Sequence, residues 1–219
     1  MNQLSLKTVK TALLSVFDKE PASELIHYLH KAGVVLYASG GTHAFIEKQG
    51  IPVIEVETLT GYPSLLGGRI KTLHPMVFGG ILARSANASD SLDLKKFGIP
   101  VFDIVVVDLY PFEQTLSKGG SPEEVTEQID IGGVSLIRAA AKNFRDVLVV
   151  PSRDHYARVL ELLKEKGGMS NQSDRQSLAA EAMKITAGYD RLISSWLGGE
   201  SAIGPDDKQS GLTLRYGEN

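Results

Sequence analysis

TALLSVFDKEPASELIHYLHKAGVVLYASGGT, residues 11–42, is the stretch that decides the fold. Residues 11–17 (TALLSVF) are an apolar run of strand length, and residues 21–31 repeat apolar side chains at helical spacing. Residues 34–38 (VVLYA) form a second apolar run. Ser39, Gly40 and Gly41 then turn the chain into a short helix, residues 42–49, stopped by Gly50. Strand, helix, strand, helix in this rhythm predicts parallel strands joined by crossover helices. Working outward, residues 51–56 (IPVIEV), 102–107 (FDIVVV) and 147–150 (VLVV) supply further strands. The expected architecture is α/β: a doubly wound, mostly parallel sheet with flanking helices. Residues 151–166 predict a helix and residues 167–173 a polar break. A long helix over residues 174–197 follows as a C-terminal helical extension. Leu178, Ala182, Ile185, Tyr189, Leu192 and Trp196 give that helix an apolar stripe, expected to pack on the sheet.

Composition narrows the function classes. With 42% hydrophobic and 22% charged residues, 219 residues are enough for one domain with a real core. A net charge of -3 provides no global field for nucleic acid or an anionic membrane, so any anion must be held by locally gathered cations. The absence of cysteine excludes disulfides, thiolate metal sites and a cysteine nucleophile. The amino-terminal residues MNQLSLKTVK do not resemble a signal peptide, and no stretch reads as a membrane span, so a cytoplasmic location is expected.

Two long stretches, residues 60–80 and 110–133, read as irregular, and loops of that length in a compact domain are usually functional. The first contains GGRIKTLHP, residues 67–75, in which Arg69, Lys71 and Thr72 gather donors suited to an oxyanion. Alone, it could equally be a solvated basic loop. Ser39-Gly40-Gly41-Thr42, at a strand-to-helix junction, can close backbone N–H groups on a phosphate, or can be a tight turn capped by Thr42. Lys19, after the first strand, lies on the same sheet edge, where Asp18 and Lys19 could also be a plain surface pair. Asp108 and Tyr110 leave the most apolar strand, with Pro111 ending it. In DIGGVSLIRAAAKN, residues 130–143, Asp130, Ile131 and Gly132 precede or open a helix closed by Lys142. A helix of that length separates its ends by roughly 15 Å or more, so Asp130 and Lys142 can meet one ligand only from different directions or through bending of the chain. Of the five histidines only His74 lies in a candidate loop, and no pair has metal-ligand spacing with nearby carboxylates.

In this order, SVFDK, ASGGT, GGRIKTLHP, DLYPF and DIGGVSLIRAAAKN resemble the inosine monophosphate (IMP) cyclohydrolase domain. That domain is the amino-terminal half of a bifunctional purine-biosynthesis protein whose other half is AICAR formyltransferase. The likeness is dense over about residues 13–150, and LRYGEN at residues 214–219 resembles the start of the formyltransferase half. It implies a domain over residues 1–198 and a linker or tail over residues 199–219. On this reading the chain is a cyclohydrolase domain alone, as a truncation or as a natural single-function protein. The resemblance also implies a methylglyoxal-synthase-like fold and ring closure of 5-formamidoimidazole-4-carboxamide ribotide (FAICAR) to IMP and water. Implied substrate contacts are Lys19, Ser39, Gly40, Gly41, Thr42, Arg69, Thr72, Asp108, Ile131 and Gly132. Implied catalytic groups are Lys71, Tyr110, Asp130 and Lys142. No cofactor or metal is implied, nor any nucleic acid or membrane partner; a homodimer is compatible with the family. Two positions depart from the usual pattern: Phe17 replaces a small polar residue, and Asp108 an asparagine. The chemistry assigned is Lys71 on the oxyanion, helped by N–H groups near Ile131 and Gly132. Asp130 accepts the proton, Lys142 donates or tunes it, and Tyr110 positions the carboxamide. The rival readings are a non-catalytic phosphate- or nucleotide-sensing module of the same fold, and a methylglyoxal synthase.

Overall fold

The computed structural model describes residues 6–199, so the tail expected over residues 199–219 lies, but for its first residue, outside the described residues. Five parallel strands make the central sheet: β2 (Thr11–Ser15), β3 (Val35–Ala38), β4 (Ile54–Glu55), β5 (Ile104–Val107) and β6 (Leu148–Val150). Their order is β4-β3-β2-β5-β6. A separate two-stranded antiparallel pair joins β1 (Lys7–Thr8) to β7 (Met169–Ser170), where the sequence predicts only a polar break. The central strands are nearly continuous apolar runs because both sheet faces are covered, and all four residues of β5 are buried.

From β2 the chain moves outward through α1 (Ser23–Lys31), β3, α2 (Gly40–Lys48) and β4. It then returns to the middle and moves the other way through β5, α8 (Gly132–Lys142) and β6. Right-handed crossovers running in opposite directions place their helices on opposite faces, so the sheet is doubly wound. On one face α8 packs on β5 and β6 and is covered by α10 (Gln172–Leu197). On the other, α1 packs against α9 (Tyr156–Glu165). The direction reverses between β2 and β5, whose Ser15 and Val107 are register partners. There the strand ends diverge and leave a crevice.

The two stretches predicted to be irregular contain short helices. Residues 60–80 hold a 3-10 turn at Leu66–Gly68 and α4 (Pro75–Leu82), preceded by α3 (Val56–Thr60). Residues 110–133 hold α6 (Phe112–Ser117) and α7 (Pro122–Glu127), the latter opened by a Ser121–Glu124 capping box. Six residues are too few for a helical period to emerge. α5 (Ala88–Phe97) buries none of its side chains, so it has no apolar stripe to announce it. Its ends are nevertheless signalled by the Asn87 cap and by Gly98 at φ 65°.

The α10 stripe divides in two. Leu178 and Ala182 join the main core, whereas Tyr189 forms a second cluster with Phe112 and Val125, against which Leu192 and Trp196 pack. The second half of α10 therefore packs on the 109–134 segment, not on the sheet.

Candidate active site

The crevice at the β2–β5 reversal is a cavity of about 680 Å3. That is the size range of small-molecule sites, at the place where open parallel sheets bind ligands. The exit of β2 supplies Ser15, Val16, Phe17 and Lys19, and that of β5 supplies Asp108 and Tyr110. The N-terminus of α2 adds Ser39, Gly41 and Thr42; the loop before α4 adds Gly67, Gly68, Arg69, Lys71 and Thr72. The α7–α8 link completes the wall from Thr126 to Gly133. Five segments far apart in sequence thus converge.

One wall gathers positive charge. Ser39 holds the α2 N-cap position in extended conformation and makes no side-chain cap bond. Lysines cover the glycines that follow. Lys71 Nζ fills the space a Cβ on Gly40 would take, and Lys19 Cε lies 3.1 Å from the Cβ position of Gly41. Gly40 also has φ 52°, the left-handed region that favours glycine. Lys19 donates to the Phe17 carbonyl at 2.8 Å. Among the described residues neither Lys19 nor Lys71 has a carboxylate within 4.0 Å. Two ammonium groups beside a helix N-terminus repel one another and the helix dipole, an arrangement that an anion relieves.

The opposite wall is acidic and tightly drawn. Asp130 Oδ1 accepts from the Gly133 N–H at 2.7 Å, and a Cβ on Gly133 would stand 2.5 Å from Asp130 Oδ2. Gly132 is close to Thr72, its Cβ position 3.0 Å from Oγ1. The glycine pair lets the start of α8 close on both side chains. Burial raises the Asp130 carboxyl pKa above its ordinary value, opposed by the Gly133 and Tyr110 N–H groups and by the charge of Lys71. Tyr110 is raised as well, by burial first and then by the negative charge of Asp130. Its ring meets Phe17 edge-on, with centroids 5.6 Å apart. Phe17, where the family resemblance leads one to expect a small polar residue, therefore supplies an aromatic wall.

The structure brings the sequence-predicted residues to this cavity, with corrections. Lys142 does not line it: it is exposed at the far end of eleven-residue α8, about 15 Å from the Asp130 end. Its expected proton-donor role is withdrawn for a site built by one chain. Its neighbour Asn143 is structural, donating to the carbonyls of Ile81 and Ala83 at 2.8 and 2.9 Å. Gly40 is not part of the lining because Lys71 covers it. Thr42 lines the cavity but is not the cap, and its hydroxyl is committed: Oγ1 donates to Val16 O and accepts from Val16 N–H, both at 3.1 Å. It cannot give that proton to a ligand. Asp108 Oδ2 accepts from the Asp18 N–H at 2.9 Å, holding the β2 exit in place, and burial raises its carboxyl pKa. Arg69 lies at the rim, 3.1 Å from Glu127. His74 caps α4, Nδ1 accepting from the Met76 N–H at 3.1 Å. His155 meets Ser152 and Glu181 at 2.8 Å each. The wall from Thr126 to Ile129 is absent from the sequence-derived list, although its contiguity with Asp130 was a signal. Among the described residues no group of three or more His, Asp or Glu side chains is placed to hold a metal ion.

The model of the MGS-like domain matches residues 22–135, which carry most of both walls. The chain belongs to the MGS-like domain family. A second model, that of the AICARFT/IMPCHase bienzyme, matches residues 140–219, beyond the MGS-like segment. The bifunctional purine biosynthesis protein PurH of Bacteroides thetaiotaomicron is 47% identical over 214 residues, 97% of this chain and 42% of that protein. PurH of Rhodopirellula baltica is 46% identical over 219 residues, again 42% of its length. The chain therefore spans less than half the length of these curated relatives. The crystal structure of ForH superposes with a TM-score of 0.73 at 34% identity, covering 87% of this MGS-like chain and all of that one.

Proposed function

We propose that this chain is an IMP cyclohydrolase, which closes the purine ring of FAICAR to give IMP and water in the last step of de novo purine biosynthesis. The observation that carries the reading is the meeting in one cavity of Lys71, with no carboxylate within 4.0 Å among the described residues, and the half-buried Asp130 carboxylate. The purine is supported by the relatives, which are purine biosynthesis proteins by name.

The ribotide phosphate is assigned to the cationic wall: Lys19, Ser39 and the Gly41 N–H at the start of α2, and Arg69 at the rim. Exposed pairs such as Arg69–Glu127 contribute only ~0–1 kcal/mol, so the guanidinium can exchange Glu127 for a phosphate. Ring closure makes one C–N bond, from the carboxamide nitrogen to the formyl carbon. The formyl oxygen then leaves as water, taking one proton from each nitrogen. An amide is a weak nucleophile, so orientation, proton removal and charge stabilisation are all required. Tyr110 and Phe17 bracket the base, and Tyr110 orients the carboxamide. Asp130 removes a proton from the attacking nitrogen, and its raised pKa suits it both to accept that proton and to return it to the departing oxygen. Lys71, with the Ile131 and Gly132 N–H groups, stabilises the tetrahedral oxyanion. With Lys142 remote, Asp130 performs both proton transfers. No step calls for a redox or group-transfer cofactor.

Incubating the purified chain with FAICAR, without folate, and following IMP absorbance tests the proposal. Turnover is expected. Tight nucleotide binding without IMP would replace it with the sensing-module reading. A homodimer and a cytoplasmic location belong to the same proposal, and a monomer in sedimentation would remove the first.

A further inference from the structure

Asp130 stands in the four-residue link between α7 and α8, residues 128–131, outside either helix. The N–H groups of Gln128 and Ile129 still bond back into α7, to Val125 O and Thr126 O at 3.1 and 3.0 Å. The Asp130 N–H is the first to leave that pattern, and it donates to the phenol oxygen of Tyr189 at 2.7 Å. The same phenol donates to Gln128 O at 2.8 Å. A single hydroxyl, fifty-nine residues on in the chain, thereby ties both ends of the turn that presents the carboxylate. On its other side Asp130 is held by the Gly133 N–H.

Tyr189 is itself well anchored. It is 9% exposed on α10, and its ring meets Phe112 edge-on with centroids 6.0 Å apart. Phe112 in turn meets Trp196 at 5.9 Å. Packing alone asks only for a ring at this position, so phenylalanine would satisfy it. The hydroxyl adds the two bonds to the turn and, among the described residues, makes no other. Both bonded groups, in Gln128 and Asp130, belong to residues that line the cavity.

We propose that Tyr189 is a positioning residue: its hydroxyl, bonded to Asp130 N–H and Gln128 O, sets the direction of the Asp130 carboxylate in the cavity. The inference rests on the reading of Asp130 as the proton-transferring group. It also gives the C-terminal half of α10 a part in the site, beyond covering α8.

The test compares Tyr189→Phe with Tyr28→Phe in the whole chain. Tyr28 bonds an equally ordinary carbonyl, Leu163 O at 2.8 Å, on the far side of the sheet. Both variants lose a buried bond, and a small drop in Tm is expected of each. Only Tyr189→Phe is expected to lose kcat for IMP formation, by about 10- to 100-fold, the scale of displacing a reacting group by about 1 Å. Its KM stays within about twofold, because the anion wall is untouched. Replacing Tyr189 by 4-aminophenylalanine, whose amine can again give and accept, is expected to restore kcat. An unchanged kcat in Tyr189→Phe overturns the proposal, as does a loss of kcat shared equally by Tyr28→Phe. If Tyr189→Phe fails to fold, the 4-aminophenylalanine protein decides by whether it holds the parent kcat. An inactive parent refutes the cyclohydrolase reading itself, a separate outcome seen before any variant is assayed.

Discussion

The two residues on which the proposed chemistry turns, Lys71 and Asp130, are held in opposite electrostatic states of need. Lys71 lies against the bare Gly40 at a helix N-terminus, where its charge is unwelcome until an anion or oxyanion arrives. Lys71→Ala is expected to lower kcat about 10²–10³-fold, the cost of removing one oxyanion donor. A variant within twofold of the parent in IMP formation would remove Lys71 from the mechanism. Asp130 has its pKa raised by burial. The folded state therefore binds this proton more tightly than the unfolded chain does, and stability is lost as pH rises from the ordinary value of 3.8 through the raised one. Asp130→Asn, which carries no charge, is expected to raise Tm at pH 7 while abolishing turnover. The Tm advantage should shrink as pH falls through the raised value toward 3.8 and be gone below it. Scanning calorimetry from pH 3 to 7 checks the sign, and a variant less stable than the parent at pH 7 contradicts it.

At the scale of elements, the site depends on bonds that no periodicity reveals. Arg175, 1% exposed in the first turns of α10, donates to the carbonyls of Phe144, Arg145 and Ser170 at 2.7–3.0 Å. It thereby ties α10 to the entrance of β6 and to β7. Replacing it by leucine leaves three carbonyls short of that donor, each worth about 1 kcal/mol or more, so Arg175→Leu is expected to cost ~3 kcal/mol or above. Urea denaturation would register this as a lower midpoint at unchanged slope. The same contrast explains what was legible in the sequence. β2, β5 and β6 were readable because strands buried on both faces are written as unbroken apolar runs, and β3 because its residues are apolar although Val35 is exposed. The GGRIKTLHP loop and the Ser39–Gly41 turn were readable because cations and glycines have few other reasons to alternate beside strand ends. α5 was not, since it buries nothing. The wall at residues 126–129 had only its contiguity with Asp130 to announce it, since the phenol bonded to Gln128 O lies far on in α10. Lys142 misled for a geometric reason. Motif proximity in sequence counts residues, whereas α8 converts ten intervening steps into about 15 Å.

For the whole molecule, the position of the cavity matters more than any single contact in it. The cavity sits where the sheet reverses direction, so its ligand touches the exits of both β2 and β5, the N-termini of α2 and α8, and the loop before α4. A bound nucleotide thus joins segments that otherwise meet only through the sheet. Net charge is -3, so the chain as a whole repels an anion and the attraction is confined to Lys19, Lys71, Arg69 and the α2 N-terminus. Two consequences can be measured together. IMP at a hundred times its Kd should stabilise the fold by about 2.7 kcal/mol, a rise in Tm of roughly 5–11 °C for a domain of this size. Inosine, identical except for the phosphate, should give a much smaller rise at the same concentration. The IMP effect should also weaken between 50 and 500 mM salt, because the rim cations are open to solvent and screened. Equal shifts from IMP and inosine, or an IMP shift indifferent to salt, would move the phosphate out of the cationic wall. The assignment of the β2–β5 crevice as a ribotide site would fall with it.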